Sequence, residues 1–108
     1  MEVTGDATLG GYFAQHARPP AFEGSDGEAY SAEFYCDGEA TEDGRYGAAV
    51  LFVRWSGGGE EPVGHLETEY ISFGATVEEA RSKLGELTLE EVKRHLDRLI
   101  ERRREIIW

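Results

Sequence analysis

Residues 46–55 read Tyr-Gly-Ala-Ala-Val-Leu-Phe-Val-Arg-Trp and are apolar at nearly every position. A strand with one face in water alternates apolar and polar residues, whereas a strand covered on both faces is apolar throughout. We therefore expect this segment to be the central strand of a sheet, covered on both sides or nearly so. The run that follows it, Ser56-Gly57-Gly58-Gly59, predicts a flexible loop.

The segment before this strand, residues 28–37, alternates in character. The apolar positions on one side are Tyr30, Ala32, Phe34 and Cys36. A period of two predicts a half-buried strand. The turn that follows ends in Asp43-Gly44, a dipeptide typical of hairpins, so we expect antiparallel pairing with the apolar segment.

Residues 63–73 predict a third strand, but its apolar side chains change phase. Leu66 and Tyr70 share one face of an extended chain, whereas Ile71 and Phe73 share the other. Either both faces of this strand are partly buried, or a bulge near Thr68 resets the phase.

Two helices follow, and each begins with a capping box. In the sequence Thr-x-x-Glu, the threonine and the glutamate satisfy each other's free backbone N–H groups, and this sequence occurs at Thr76–Glu79 and Thr88–Glu91. Gly85 lies between the boxes and is well placed to end the first helix. In the second helix, Glu90 and Arg94 lie four residues apart, a spacing that predicts a stabilising ion pair.

Residues 1–27 form an N-terminal arm in this interpretation. A short helix at residues 9–17 is weakened by two glycines, and Pro19 and Pro20 impose an extended chain after it. The predicted fold class is α+β: a three-stranded antiparallel sheet followed by two helices, with an N-terminal arm or short helix. We expect residues 28–108 to form a single α+β domain.

Charge is the most unusual property of the chain. Its 108 residues include 22 acidic and 11 basic side chains, which gives a formal net charge of −11. Such a surface repels phosphate backbones and anionic membranes, so we expect neither nucleic acid nor a membrane as partner. It suits a basic protein, because complementary charge accelerates their encounter. The acidity could equally serve solubility or a salty cytoplasm.

The cysteine content and the start of the chain predict a cytoplasmic protein. Cys36 is the only cysteine, so no disulfide can form within the chain. The first residues lack the basic and apolar regions of a signal peptide, and no apolar run approaches the about 20 residues of a membrane span. We expect no cofactor, because the single cysteine and the dispersed histidines show no zinc-binding spacing.

The most site-like group in the sequence is His65, Glu67 and Glu69. On a strand these alternate side chains share one face at a spacing of about 7 Å. One imidazole and two carboxylates can bind a metal or exchange protons. The same alternation also describes a solvated sheet face, and the residues alone leave both interpretations open.

The last helix carries a candidate interface for a homodimer or for docking onto the sheet. Its residues are Leu96, Leu99, Ile106, Ile107 and Trp108. They form an apolar stripe at helical spacing that continues into an apolar end. The same helix also carries four arginines near its end: Arg98, Arg102, Arg103 and Arg104. We interpret them as cations that oppose the negative end of the helix.

The junction between the third strand and the first of these helices reads Phe73-Gly-Ala-Thr-Val-Glu-Glu-Ala-Arg81, and it follows strands that begin near Tyr30 and after Asp43-Gly44. In this order it resembles the HicB-type antitoxin domain over residues 28–90. The matching residues are Gly74, Thr76, Glu79 and Ala80. The resemblance implies a small oligomeric protein that masks a basic ribonuclease toxin.

Two function hypotheses follow from the sequence. The first is a small, acidic, non-enzymatic protein-interaction module with antitoxin-like masking of a basic partner. The second is a small ligand- or metal-binding protein or enzyme that uses His65, Glu67 and Glu69.

Overall fold

The computed structural model describes the chain from residue 7 to residue 107, and its side chains as far as residue 103. The architecture is α+β with an antiparallel sheet, as the sequence predicts. The helices are α1 (Leu9–Gln15), α2 (Val77–Leu84) and α3 (Leu89–Ile107). The strands are β1 (Ala21–Glu23), β2 (Ala29–Cys36), β3 (Tyr46–Trp55), β4 (Pro62–Glu67) and β5 (Ser72–Gly74). No helix in this part of the chain is both long and apolar enough to cross a membrane.

β3 is the central strand, which confirms the interpretation of residues 46–55. It pairs with β2 on one side, from Ala29 opposite Trp55 to Cys36 opposite Ala48. On its other side, the beginning of β3 pairs with β5 and its end pairs with β4. The sheet order is β1-β2-β3-β4, and all neighbours are antiparallel.

Between residues 7 and 107 the sheet has five strands rather than the three predicted, and the N-terminal arm supplies one of them. β1 pairs with β2, with Phe22 opposite Tyr30. The carbonyl of Pro20 accepts a hydrogen bond from the Ala32 N–H at 3.1 Å, so the extended chain imposed by the prolines leads directly into the ladder. The arm is therefore built into the sheet.

The other additional strand arises because a bulge interrupts the predicted third strand. Between β4 and β5, residues 68–71 face only Ala49 and Val50 of β3. The Thr68 hydroxyl oxygen accepts a hydrogen bond from the Val50 N–H at 3.0 Å, and the Thr68 N–H donates to the Val50 carbonyl at 3.1 Å. Of the two alternatives that the sequence leaves open, the bulge near Thr68 is observed, and it explains the change of phase.

The capping box predicted at the start of α3 is formed in full, whereas that of α2 is formed in part, because the Glu79 carboxylate accepts from the Ala75 N–H instead of the Thr76 N–H. The Thr76 hydroxyl oxygen accepts from the Glu79 N–H at 3.0 Å at the start of α2. At the start of α3, the Thr88 hydroxyl oxygen accepts from the Glu91 N–H at 3.0 Å, and the Glu91 carboxylate accepts from the Thr88 N–H at 2.9 Å. Each cap satisfies backbone donors that the first turn leaves free, and typically contributes about 1 kcal/mol.

α1 begins at Leu9 as predicted, is capped by Thr8, and ends two residues before the predicted boundary. It lies against the junction between α2 and α3, where the Gly10 N–H donates to the Gly85 carbonyl at 2.8 Å. A Cβ added at Gly10 would stand 3.1 Å from that carbonyl oxygen. Gly10, one of the two glycines that weaken this helix, therefore allows it to approach the rest of the domain closely.

All three helices pack against the same side of the sheet, which we call the inner face. The buried core residues are Leu9, Tyr30, Ala32, Ala48, Val50, Phe52, Ala80, Leu84, Val92, Leu96 and Ile100. Burial of each large apolar side chain contributes about 1.5–3 kcal/mol to the free energy of unfolding. The contribution of Leu9 shows that the N-terminal arm and the rest of the chain share one core.

The opposite side of the sheet, which we call the outer face, has no helix over it in the part of the chain that the structure describes. The expectation that β3 is covered on both sides therefore holds only near its beginning. Gly47 and Ala49 are buried, whereas Leu51, Val53 and Trp55 are half-buried. The second half of the strand presents apolar side chains to solvent.

Candidate interaction surface

The outer face is formed by the odd-numbered residues of β2, β3 and β4. Antiparallel register aligns them in rows across the sheet: Ser31, Val53 and His65 form one, and Glu33, Leu51 and Glu67 form the next. The indole N–H of Trp55 donates to the Ser31 hydroxyl oxygen at 2.9 Å, which fixes the Trp55 ring against β2. These strands therefore present one continuous surface.

Exposed apolar side chains are concentrated on the outer face. Among residues with described side chains, the large hydrophobic residues that are exposed are Tyr35 (40%), Val63 (45%) and Tyr70 (37%). Tyr35 and Tyr70 lie on this face, and Val63 lies at the start of β4, where the register with β3 shifts. Leu51 and Val53 lie between Tyr35 and β4 and are half-buried. A contiguous apolar patch of this kind is typical of a protein interaction site.

Tyr70 covers one end of the outer face. Its ring lies over Gly47, where an added Cβ would stand 2.6 Å from ring carbons, so only glycine admits this contact. Its hydroxyl donates to the Asp37 carboxylate at 2.6 Å and thereby reaches across β3 to the end of β2. This hydrogen bond raises the pKa of Tyr70 to about 12 and holds the pKa of Asp37 below its usual value.

Two more side chains complete this covered end. The Phe73 ring meets the Tyr70 ring edge-on, with centroids 5.7 Å apart. The Arg45 guanidinium lies 4.5 Å from the Phe73 centroid and pairs with the Asp43 carboxylate at 2.8 Å. The charge of Arg45 is therefore already engaged by an aromatic ring and by a carboxylate.

The charged side chains at the strand positions of the outer face are acidic. Glu33 and Glu67 stand on either side of Leu51, and Glu23 of β1 lies opposite Ala29 at the edge of the sheet. Within β1 to β4, no lysine or arginine occupies an outward-facing position. The uncovered part of the face is therefore an apolar centre bordered by carboxylates.

The structure brings together two of the three residues of the predicted site. His65 and Glu67 are exposed side by side on the outer face, whereas Glu69 lies in the bulge and lines a separate groove beside α3. The bulge separates them because it breaks the alternation on which the prediction rests. Within residues 7–107, no group of three or more His, Cys, Asp or Glu side chains is arranged to hold a metal ion.

The structure also shows which residues of the candidate interface on the last helix are exposed. Leu96 is 0% exposed and belongs to the core of the same chain, and Leu99 is half-buried against that core. Leu96 therefore packs against the inner face of the sheet, which is one of the two alternatives that the sequence leaves open, and it is not exposed to a second copy. Ile106, Ile107 and Trp108 lie outside the residues whose side chains are described.

A groove of about 630 Å³ lies on the helical side, between α1, α2 and β2. The Phe13 and Phe34 rings meet at its floor with centroids 5.0 Å apart, and the Arg81 guanidinium lies 4.2 Å from the Phe34 centroid. Because Arg81 already covers an aromatic ring, we assign this contact to the packing of α2 on the sheet.

The apolar run of β3 does not by itself predict that its second half is uncovered on the outer face, although the neighbouring strands carry a signal for it. Ser31 and Glu33 on one side of β3, and His65 and Glu67 on the other, are polar at the positions that share a face. Polar side chains flanking an apolar strand on both sides indicate that this face meets solvent or a partner.

Comparison with known proteins found no match. No family model matches the chain, and neither the curated proteins nor the solved structures contain a significant relative. The HicB-like resemblance at the junction of β5 and α2 therefore stays a prediction.

Proposed function

We propose that this protein is a non-enzymatic interaction module that binds and masks a basic protein surface through its outer face. The observation that carries the proposal is the composition of that face. Its centre is apolar and partly exposed, and its charged strand positions are glutamates. A partner with an apolar patch surrounded by lysine or arginine would complement it.

The dimensions of the outer face support a protein partner. The uncovered part of β3 that pairs with β4, Leu51–Trp55, spans about 17 Å, and strands spaced about 4.8 Å apart extend the face by about 15 Å in the other direction. The resulting area of about 250 Å² is about a third of the about 800 Å² that each partner buries in a standard interface. Exposed glutamates in the adjoining loop, Glu60 and Glu61, can extend the contact.

Apolar and acidic residues would serve different steps of recognition. Removing Leu51, Val53 and Trp55 from water would supply affinity at about 25 cal/mol per Å² of apolar surface. The formal charge of −11 would accelerate encounter with a basic protein, and salt would weaken that steering. The HicB-like resemblance supports the same interpretation, since it implies masking of a basic ribonuclease toxin.

His65 and Glu67 fit this proposal as part of the border of the outer face. They are exposed, and the third residue of the predicted ligand-binding group lies in another groove. Their separation from Glu69 favours the interaction module over the ligand- or metal-binding alternative.

The test is affinity capture from a lysate of the source cell, with two variants of equal charge. One carries Glu33→Lys and Glu67→Lys on the outer face, and the other carries Glu86→Lys and Glu101→Lys at exposed positions outside the outer face. We expect the native chain and the second variant to retain the same basic protein, identified by mass spectrometry and released by salt. The outer-face variant should lose it.

The captured protein is then purified and its dissociation constant is measured directly with all three forms. Equal weakening by both variants would show that only the net charge matters, and the proposed surface would be wrong. Failure of the purified proteins to bind each other would also contradict the proposal.

A further inference from the structure

A row of arginines on α3 stands apart from the acidic surface of the rest of the chain. Arg94, Arg98 and Arg102 are four residues apart and exposed. Residues at this spacing lie on one side of a helix, about 6 Å apart along its axis. We call these three residues the arginine row.

The arginine row has no partner among the described residues, although most other cations do. Ion pairs join Arg45 to Asp43, Arg54 to Glu28, Lys93 to Asp97 and Arg103 to Asp26. The side chains of the arginine row make no hydrogen bond or ion pair with any residue described. The ion pair predicted between Glu90 and Arg94 is absent from this part of the chain, so no described carboxylate is paired with the row.

The helix dipole does not account for the arginine row. α3 ends at Ile107, so Arg98 lies more than two turns before its C-terminal end, and Arg94 lies in its first half. The interaction of a cation with the dipole falls off within the last turn. The interpretation of Arg98 as a cation that opposes the helix end is therefore wrong.

The arginine row borders a groove along one flank of α3. Two adjoining cavities of about 290 and 190 Å³ share His95 and Arg98. One cavity reaches Arg102 and Glu69 of the bulge, and the other reaches Arg94 and Glu91. His95 is half-buried between them, and burial together with the nearby Arg98 holds its pKa below the usual value.

We propose that this groove binds a small anion that carries several phosphate groups. Guanidinium groups bind phosphate oxygens through paired, charge-assisted hydrogen bonds, and three of them in a row suit a ligand with several charges. Glu69 and Glu91 line these two cavities, and the latter already accepts the Thr88 N–H. Asp97 and Glu101 line a further cavity together with all three arginines, and Asp97 is paired with Lys93. More distant carboxylates are screened at physiological salt, where the Debye length is about 8 Å.

This site is independent of the proposed function, because the groove lies beside α3 and the bulge, away from the apolar centre of the outer face. A protein that bound no partner on its outer face could still bind phosphate here. The two proposals can therefore fail separately.

The test uses sodium tripolyphosphate and the nuclear magnetic resonance signals of the three histidines. We expect the His95 signal to shift in a saturable way at constant ionic strength, and its pKa to rise, because bound phosphate offsets the field of the arginines. His16 and His65 are exposed and lie outside the groove, so their signals serve as internal controls. Citrate at equal charge is the control for a general effect of anions.

Two arginine variants identify the site. Arg98→Gln should weaken tripolyphosphate binding about tenfold, the factor that corresponds to loss of one charge-assisted hydrogen bond. Arg18→Gln removes the same charge from an exposed position outside the groove and should leave binding unchanged. The proposal is overturned by an absent or unsaturable shift of His95, by an equal response to citrate, or by equal effects of the two variants.

Discussion

The two faces of the sheet differ in what covers them, although the same strand supplies the centre of both. On the inner face, Val50 and Phe52 are 0% exposed beneath the helices. On the outer face, Leu51 and Val53 of the same strand are only half-buried. An apolar run therefore shows that a strand is suited to burial on both sides, but it does not show that the chain itself covers both sides.

The largest expected effect compares neighbouring residues on opposite faces. Phe52→Ala should lower the free energy of unfolding by about 3–5 kcal/mol, because it leaves a cavity in the packed inner face. Leu51→Ala should lower it by about 1–2 kcal/mol, because much of that side chain is already in water. Urea denaturation measures both values. Equal losses would mean that the outer face is as well covered as the inner face.

The second prediction concerns the covered end of the outer face. Gly47→Ala places a Cβ against the Tyr70 ring and should cost about 1–3 kcal/mol through displacement of that ring. Gly38→Ala is the matched control, because no atom lies within 4 Å of the added Cβ and its effect should stay within about 0.5 kcal/mol. Thermal unfolding compares the two variants, and similar melting temperatures would contradict the contact.

The third prediction tests the hydrogen bond that holds Tyr70 in place. Because the folded-state pKa of Tyr70 is about 12 and the ordinary value is 10.0, its contribution to stability is complete below pH 10 and is lost as the pH rises towards 12. The pKa of Asp37 is lowered from 3.8, so its contribution is present above that pH and is lost as the pH falls through the lower folded-state value.

Tyr70→Phe should therefore remove the tyrosine that ionises near pH 12. It should also reduce the change in the free energy of unfolding with pH at both the acid and the alkaline extremes. Absorbance of ionised tyrosine follows the titration, and urea midpoints follow stability. Tyr30 is the internal reference, since burial raises its pKa in the native chain and in the variant. Loss of a tyrosine that titrates near the ordinary value of 10.0, with the late component retained, would show that Tyr70 does not hold the Asp37 carboxylate.

The features that could be predicted from the sequence depend on residues close together in the chain. The hairpin at Asp43-Gly44, the two capping boxes and the change of phase near Thr68 are each decided within a few residues. Local geometry and hydrogen bonding fix such features with little help from the rest of the fold. The central position of β3 followed from its apolar composition alone.

The features that the sequence did not predict depend on distant contacts. The pairing of β1 with β2 and the packing of Tyr70 on Gly47 each require the assembled sheet and helices. The candidate site shows the same division. Alternation along β4 correctly places His65 beside Glu67, but it cannot place Glu69, because the bulge redirects the chain after Thr68.

The smallest expected effect on stability comes from a substitution that should weaken binding at the outer face without affecting folding. Val63 is 45% exposed, so Val63→Lys should change the free energy of unfolding by less than about 0.5 kcal/mol. It adds a positive charge at the start of β4, beside the outer face, and should weaken binding of the captured basic partner at least about tenfold. Ala14→Lys adds the same charge at an exposed position on α1 and should leave the affinity nearly unchanged. Denaturation and direct binding measurements distinguish the two roles. Weaker binding at unchanged stability would show that Val63 contacts the partner, whereas loss of both affinity and stability would show that Val63 contributes to folding.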